Sequence, residues 1–299
     1  MDDRLTDAAA LARVRSALLA WYRTDHRDFP WRHTADPYAV LVSEVMLQQT
    51  QAARVAERLP AFLARYPTAP ALAAASEADV LGAWSGLGYN RRAPALRRAA
   101  AAVVREGWPA DVAGLARLPG IGPYTARAVA SLAFGRPVGV VDTNVRRWLV
   151  RRFGLSPDAA PRDLQPLADA LAAAGDPADA APWTHATMEF GAAVCTSRAP
   201  RCGTCPIAEA CPSRGIAATL PVPRQPAFAG SDRAHRGALV RALNAASSRG
   251  LSLAAVRRLV PAEGRDRIVA GLERDGLVHR SAGRLRLGGP PDPAATIGP

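Results

Sequence analysis

Apolar residues return every third or fourth position along most of the chain, and strict alternation is rare. That spacing predicts helices over about 7–23, 38–65, 77–84, 91–105, 111–117, 123–134, 143–153, 161–174 and 182–194. Proline- and glycine-bearing stretches such as "PALAAAS", "GWPAD" and "GDPADAAP" punctuate the pattern. The periodicity fades over 212–232, "PSRGIAATLPVPRQPAFAGSD", and residues 216–232 read as a linker. Beyond it, 233–287 has its own pattern: helices over about 233–247, 252–260 and 264–275, then "GLVHRSAGRLRL". The last segment alternates like a two-stranded wing turning at Ala282-Gly283, so the unit is winged-helix-like. Residues 288–299, "GGPPDPAATIGP", are expected to be a disordered tail. The fold class is all-α.

Composition narrows the partners. The chain carries 38 basic and 26 acidic side chains, a net charge of +12, and no lysine, so every basic side chain is arginine. Such a balance favours a polyanion such as nucleic acid; the bland alternative is a solvated basic surface. At 49% hydrophobic the chain can bury a real core. Its start, "MDDRLTDAAALARVRS", is acidic and then amphipathic, unlike a signal peptide, and no apolar run reaches membrane-spanning length. A cytoplasmic protein with reduced thiols is expected.

All four cysteines fall in "CTSRAPRCGTCPIAEAC", at Cys195, Cys202, Cys205 and Cys211, with gaps of six, two and five residues. Structural zinc usually takes two close pairs, and only Cys202 and Cys205 make one. A loop wrapped round a larger iron–sulfur cubane suits the spacing better, with zinc and disulfides as the other readings. Arg198, Arg201 and Arg214 in and beside this loop could face phosphate. A second element is "LPGIGPYTARAVASLAF". Gly120 and Gly122 permit a tight turn with positive φ, and Pro123 suits the first turn of a helix. Free backbone N–H groups at such a helix start can seat phosphate; the alternative is an ordinary helical connection.

Two carboxylates stand out. Glu44, in "PYAVLVSEVMLQQTQ", has Val40, Leu41 and Leu47 as helical neighbours. A carboxyl on so apolar a face is desolvated and can stay protonated near neutrality. Asp142 follows "VGVV" and precedes "TNVRRWLVRRF", a helix N-cap position where a carboxylate stays ionised. A protonated and an ionised carboxyl are the pair that breaks a glycosidic bond, one protonating the leaving group and one sheltering the sugar cation.

Five ordered strings, "EVMLQQTQ", "GLGY", "LPGIGPYTA", "VDTNVRR" and "MEFGAAVCTSR", together resemble the adenine DNA glycosylase (MutY) family of the helix-hairpin-helix, endonuclease III-like superfamily, in its short actinobacterial-type form. The resemblance covers about residues 10–215. It implies a two-lobed all-α glycosylase domain over 1–215: a six-helix barrel over about 31–135, and a cluster lobe from 1–30 and 136–215. It also implies a [4Fe-4S] cluster on the four cysteines, duplex DNA containing a mispaired adenine as partner, a monomer, and Gly120 and Gly122 on the DNA backbone. By the same resemblance Glu44 protonates adenine N7 and Asp142 stabilises the sugar cation. Tyr124 and Asn144 assist Asp142 and the water. Trp31, Arg32 and Glu189 match the pocket for the flipped base, and Gln49 and Tyr89 match residues that wedge into the duplex near the opposite base. Trp31 and Tyr89 read equally well as core aromatics, and Gln48 and Gln49 as solvated side chains.

Three departures qualify the expectation. Related enzymes that also nick the strand use a lysine, which aligns with Tyr124; with no lysine anywhere, only a monofunctional glycosylase remains. Many family members carry a Nudix-like domain that inspects 8-oxoguanine, for which 233–287 is too short. His185 replaces a glutamine that faces adenine in many relatives. Two other readings stand beside the first: a glycosylase for T or U opposite G, and a non-enzymatic iron–sulfur DNA-binding regulator.

Overall fold

The computed structural model describes residues 7–216, 227–246 and 249–290. The chain packs into two compact units, one of residues 1–44, 108–117 and 121–223, the other of 45–107, 118–120 and 224–299.

The first unit is built on α1 (Ala8–Thr24), most of α2 (Pro37–Leu47), α7 (Val112–Leu115), α8 (Pro123–Phe134), α9 (Thr143–Phe153), α10 (Pro161–Ala173) and α11 (Ala180–Ala193). Its core is the buried stripe the periodicity predicts: Leu11 and Leu18 of α1, Trp148 and Leu149 of α9, Leu171 of α10, Phe190 of α11. Trp148 meets Phe190 edge-on at 5.9 Å, an arrangement that adds about 1 kcal/mol to their burial. Helix ends follow the residues that specify them. Asp7 caps α1 through the Ala9 N–H at 2.9 Å, and left-handed Gly135 and Gly154 end α8 and α9. The buried Arg15 guanidinium caps the far end of α10, donating to Ala172 O at 2.7 Å and lying over the Trp183 ring.

The second unit holds the end of α2 with α3 (Ala52–Arg65), α4 (Ala69–Ala74), α5 (Glu77–Ala83) and α6 (Arg92–Glu106). The single helix expected over 38–65 is two helices. The chain turns at 48–51, where Gln49 has a φ of +54°. The tetrad Gln-Gln-Thr-Gln contains no glycine or proline, so nothing local announces the break. Helix α4, capped by the Thr68 hydroxyl, occupies a stretch that reads as punctuation in the sequence, because Pro70 falls in its first turn, where proline is tolerated.

The same unit contains α12 (Asp232–Ala246), β1 (Leu251–Ser252), α13 (Leu253–Leu259), α14 (Arg265–Arg274), β2 (Val278–Ser281) and β3 (Arg284–Leu287). The wing turns at Ala282 and Gly283, both left-handed, and pairs Ser281 with Arg284. A third strand joins it in the order β1-β3-β2; two residues are too few to show alternation in sequence. These elements pack on α5. A Cβ on Gly82 would lie 2.7 Å from Asn244 Oδ1, so α5 and α12 approach closely here and the Asn244 amide would have to move for any larger residue. The start of the expected disordered tail is tied down: Gly288 N donates to Leu277 O and Gly289 N to Glu77 Oε2, each at 2.9 Å. Residues 291–299 and the 217–226 part of the linker lie outside the described residues. Among the described residues no helix is long and apolar enough to cross a membrane.

Candidate active site

Glu44 lies in the last turns of α2, whose run of buried apolar side chains includes Val40, Leu41 and Val45. It is 2% exposed, and its Oε2 has no hydrogen-bond partner. Burial, opposed by a hydrogen bond from Tyr124 and reinforced by the negative charge of Asp142, raises its pKa to about 7. Tyr124 reaches it from the first turn of α8, and its hydroxyl oxygen also lies 3.9 Å from Met188 Sδ. Burial beside two carboxyls holds that phenol well above its ordinary range, so it is a permanent donor.

Asp142 is the N-cap of α9, as its position in the sequence predicts. Its Oδ1 accepts from Val145 N at 2.6 Å and its Oδ2 from Asn144 Nδ2 at 2.8 Å. Burial pushes its pKa up, a correction to the expectation that the cap alone keeps it acidic; the Val145 and Asn144 N–H donors and Arg147 pull it down. The difference in donors assigns the proton. Asp142 has helix N–H groups for its charge and Glu44 has an orphaned oxygen, so Glu44 holds a proton more tightly than Asp142 does.

Asn144 is itself held. Its Oδ1 accepts from Arg147 Nη2 at 2.9 Å, and Arg147 also donates to Gly191 O and, at 2.7 Å, to Cys195 O. A Cβ on Gly191 would stand 2.6 Å from Asn144 O, so α11 packs directly on the start of α9. One guanidinium therefore joins the carboxylate cap to the first cysteine of the loop. The sequence does not single Arg147 out from its many arginines.

Trp31, Arg32 and Glu189 also come together. Glu189 is 2% exposed and takes Arg32 Nη2 on Oε2 at 2.6 Å. Arg27, not anticipated, donates to its Oε1 at 2.6 Å. The two guanidiniums hold the carboxyl below its usual range despite burial. Arg32 lies over Tyr22 and Phe29, and Phe29 stacks on Trp31 at 4.6 Å. His185 stacks near Tyr22; desolvation, then Arg32 and His26, push it down to about 3, so it is neutral.

Gln49 and Tyr89 belong to the second unit and line one cavity there. Both have positive φ, +54° and +48°. Arg92 of α6 holds both turns. It donates to Val45 O, Met46 O and Gln48 O on one side (2.6, 2.9 and 2.7 Å) and to Gly88 O on the other at 3.0 Å. Burial lowers its pKa to about 10, still charged at neutrality.

In the hairpin, only Gly120 has the expected positive φ, +76°, and its missing Cβ makes room for Ala95 Cβ. Gly122 is extended, φ −87°, and caps α8 with no side chain; a Cβ there would meet nothing within 4 Å. The N–H groups at the start of α8 have no side-chain cap, which leaves them available to an anion.

The four cysteines line one pocket together with Trp148, Ile207 and Pro200. Arginines of α9 pin the loop: Arg151 donates to Thr196 O at 2.6 Å and to Cys195 Sγ at 3.5 Å, and Arg152 to Ala210 O at 3.1 Å. Among the described residues no three His, Cys, Asp or Glu side chains are placed to hold one metal ion. The four thiols line one common pocket and are the soft donors that zinc or an iron–sulfur cluster takes. Arg198, Arg201 and Arg214 are exposed around it.

A hairpin with a bare helix start, a buried acid and a capped carboxylate are the apparatus of a DNA base-excision protein. A family model described as "HhH-GPD superfamily base excision DNA repair protein" matches residues 42–172. The adenine DNA glycosylase of Mycobacterium tuberculosis H37Rv is 44% identical over 286 residues, covering 91% of this chain and 92% of that one. The human adenine DNA glycosylase is 42% identical over 224 residues, 70% of this chain and 40% of its own. A thermostable thymine-DNA glycosylase structure superposes with a TM-score of 0.63 at 30% identity, covering 69% of this chain and 98% of its own. An endonuclease III–DNA covalent intermediate shares the fold, with a TM-score of 0.57, 24% identity and coverage of 66% and 92%. The chain belongs to the adenine DNA glycosylase family.

Proposed function

We propose that the protein removes adenine mispaired with 8-oxoguanine or guanine in duplex DNA by hydrolysing the N-glycosidic bond, and that it leaves the strand uncut. The observation that carries this reading is the buried Glu44, its pKa raised to about 7 beside Tyr124 and Asp142. A purine leaves readily only when its ring nitrogen is protonated, and Glu44 holds a proton at neutral pH to give. As the bond stretches, the charge on Asp142 faces the positive sugar carbon. Asn144 keeps that carboxylate aimed and helps orient the attacking water. Tyr124 bonds the Glu44 carboxyl and, where a lyase has an amine, offers only a phenol.

The flipped adenine sits against Trp31 and the Arg32–Glu189 pair, with neutral His185 as a hydrogen-bonding neighbour. Glu189 is neutralised by two guanidiniums, so it contributes geometry rather than net charge. Gln49 and Tyr89 enter the duplex where the base has left, repaying part of the unstacking cost of a few kcal/mol. Gly120 and Gly122 let the hairpin N–H groups grip phosphate. Cys195, Cys202, Cys205 and Cys211 hold a [4Fe-4S] cluster, which when bound fixes the loop carrying Arg198 and Arg201. In this reading residues 1–215 are the glycosylase domain, 233–287 an appended winged-helix-like unit, and the working protein a cytoplasmic monomer.

The test is single-turnover base release from duplexes carrying A opposite 8-oxoguanine, A opposite G and T opposite G. Release from the first two but not the third is expected, with alkali needed to cut the product strand. Glu44→Gln is expected to retain DNA binding and lose release by a thousandfold or more. Release from T:G alone would place the protein with the thymine-removing branch. Normal release by Glu44→Gln would overturn the acid assignment.

A further inference from the structure

Trp148 of α9 carries a buried donor with nothing to donate to. The residue is 1% exposed, and its Nε1–H has no hydrogen-bond partner among the described residues. Buried tryptophans ordinarily find an acceptor for that N–H, because an indole shut away from water without one is destabilising. Phenylalanine could keep the edge-on contact with Phe190 and carry no such penalty. The nitrogen is what needs explaining.

The indole stands in the wall of the pocket that Cys195, Cys202, Cys205 and Cys211 line. Arg151 and Arg152, three and four residues further along the same helix face, share that wall. Both already donate: Arg151 to Thr196 O and Cys195 Sγ, Arg152 to Ala210 O. The Trp148 N–H reaches no carbonyl, and none of the cysteine sulfurs accepts from it. The acceptors that remain are those of the group the thiols would enclose. A zinc ion offers none. An iron–sulfur cubane carries inorganic sulfides, which are negative and accept N–H donors.

We propose that the Trp148 indole donates a hydrogen bond to an inorganic sulfide of the cluster and so raises its reduction potential. The inference rests on the cluster reading of the four cysteines, and on neither the excised base nor the catalytic carboxyls. Its basis is charge. One added electron places more negative charge on the sulfides, and an N–H dipole fixed against them stabilises that charge. In a wall away from water the dipole is little screened. The indole thus favours the reduced cluster over the oxidised one, while the thiolates alone hold the iron.

The experiment uses the intact protein purified without oxygen, with iron and acid-labile sulfide measured first. In protein labelled with nitrogen-15 at the indole nitrogens, pulsed EPR of the cluster in its paramagnetic state should show a nitrogen-15 coupling. Labelled Trp148→Phe should lack it. In a redox titration Trp148→Phe should have the lower midpoint. At the potential where the parent is half reduced, its ratio of reduced to oxidised cluster should fall about three- to tenfold, tenfold being about 59 mV for one electron. Trp183→Phe is the control. Trp183 is also buried, at 3% exposure, but does not line the pocket, so its loss should leave coupling and midpoint at the parent values. Should Trp148→Phe fail to retain a cluster, the labelled parent decides alone. Iron and sulfide without a nitrogen-15 coupling in the parent, or a Trp148→Phe midpoint equal to the parent's, overturns the proposal and leaves the cluster reading standing. Zinc without sulfide overturns both.

Discussion

At the scale of the residue, Glu44 couples chemistry to stability through one proton. Its carboxyl binds that proton more tightly folded than unfolded. The stabilisation is complete below the ordinary value of 4.5 and is lost as pH rises through about 7. The span corresponds to about 3 kcal/mol. Melting profiles should therefore show Glu44→Gln gaining on the parent between those values and keeping the gain at higher pH, while the parent alone releases adenine. The parent's single-turnover rate should fall as pH rises through about 7, because the deprotonated acid has nothing to give. Arg92 makes the opposite case: its function is wholly positional. Arg92→Met leaves at least four carbonyls without their donor, at about 1–3 kcal/mol for each one that water cannot reach. Arg92→Lys brings three N–H groups and no planar fork, so it should recover little. Thermal melts read the first effect, and duplex affinity reads the loss of the Gln49 and Tyr89 turns.

At the scale of the element, function depends on how closely backbones approach. Gly191 lets α11 lie on the start of α9, where Asn144 sits. Gly191→Ala should separate the two helices, loosen the Asn144–Asp142 bond, and lower the rate constant for base release far more than duplex affinity; single-turnover kinetics and anisotropy give the two numbers. Gly120→Ala strains a φ of +76° and drives a Cβ into Ala95, so it should lower the melting temperature and weaken duplex binding together. Elements also show where the sequence speaks and where it is silent. Helices α8 and α9 were legible because proline, glycine and aspartate mark their ends. The break between α2 and α3 was not, because the residue that stabilises it, Arg92, lies far along the chain. Asp142 could be found from its cap position and Glu44 from its apolar neighbours. Arg27 and Arg147 could not, since nothing local separates an arginine that bonds a buried carboxylate or a cysteine carbonyl from one in water.

At the scale of the whole molecule, the excess of positive charge and its exclusively guanidinium chemistry set the terms of DNA binding. Affinity for undamaged duplex should fall steeply with salt, and the loss should be similar for every sequence tested. The four-thiol loop makes a separate demand. Cys202→Ser or Cys205→Ser should lower the iron and sulfide content of the purified protein and, by loosening the loop, weaken duplex binding without moving the pH at which base release fails.

Arg92 has one more consequence. The guanidinium grips peptide oxygens, which every amino acid supplies alike. The residues at the tips of the two turns can therefore be exchanged while the frame presenting them stays put. Under the proposed reading, preference for the orphaned partner base can be explored by exchanging what sits at 49 and 89, with no rebuilding underneath.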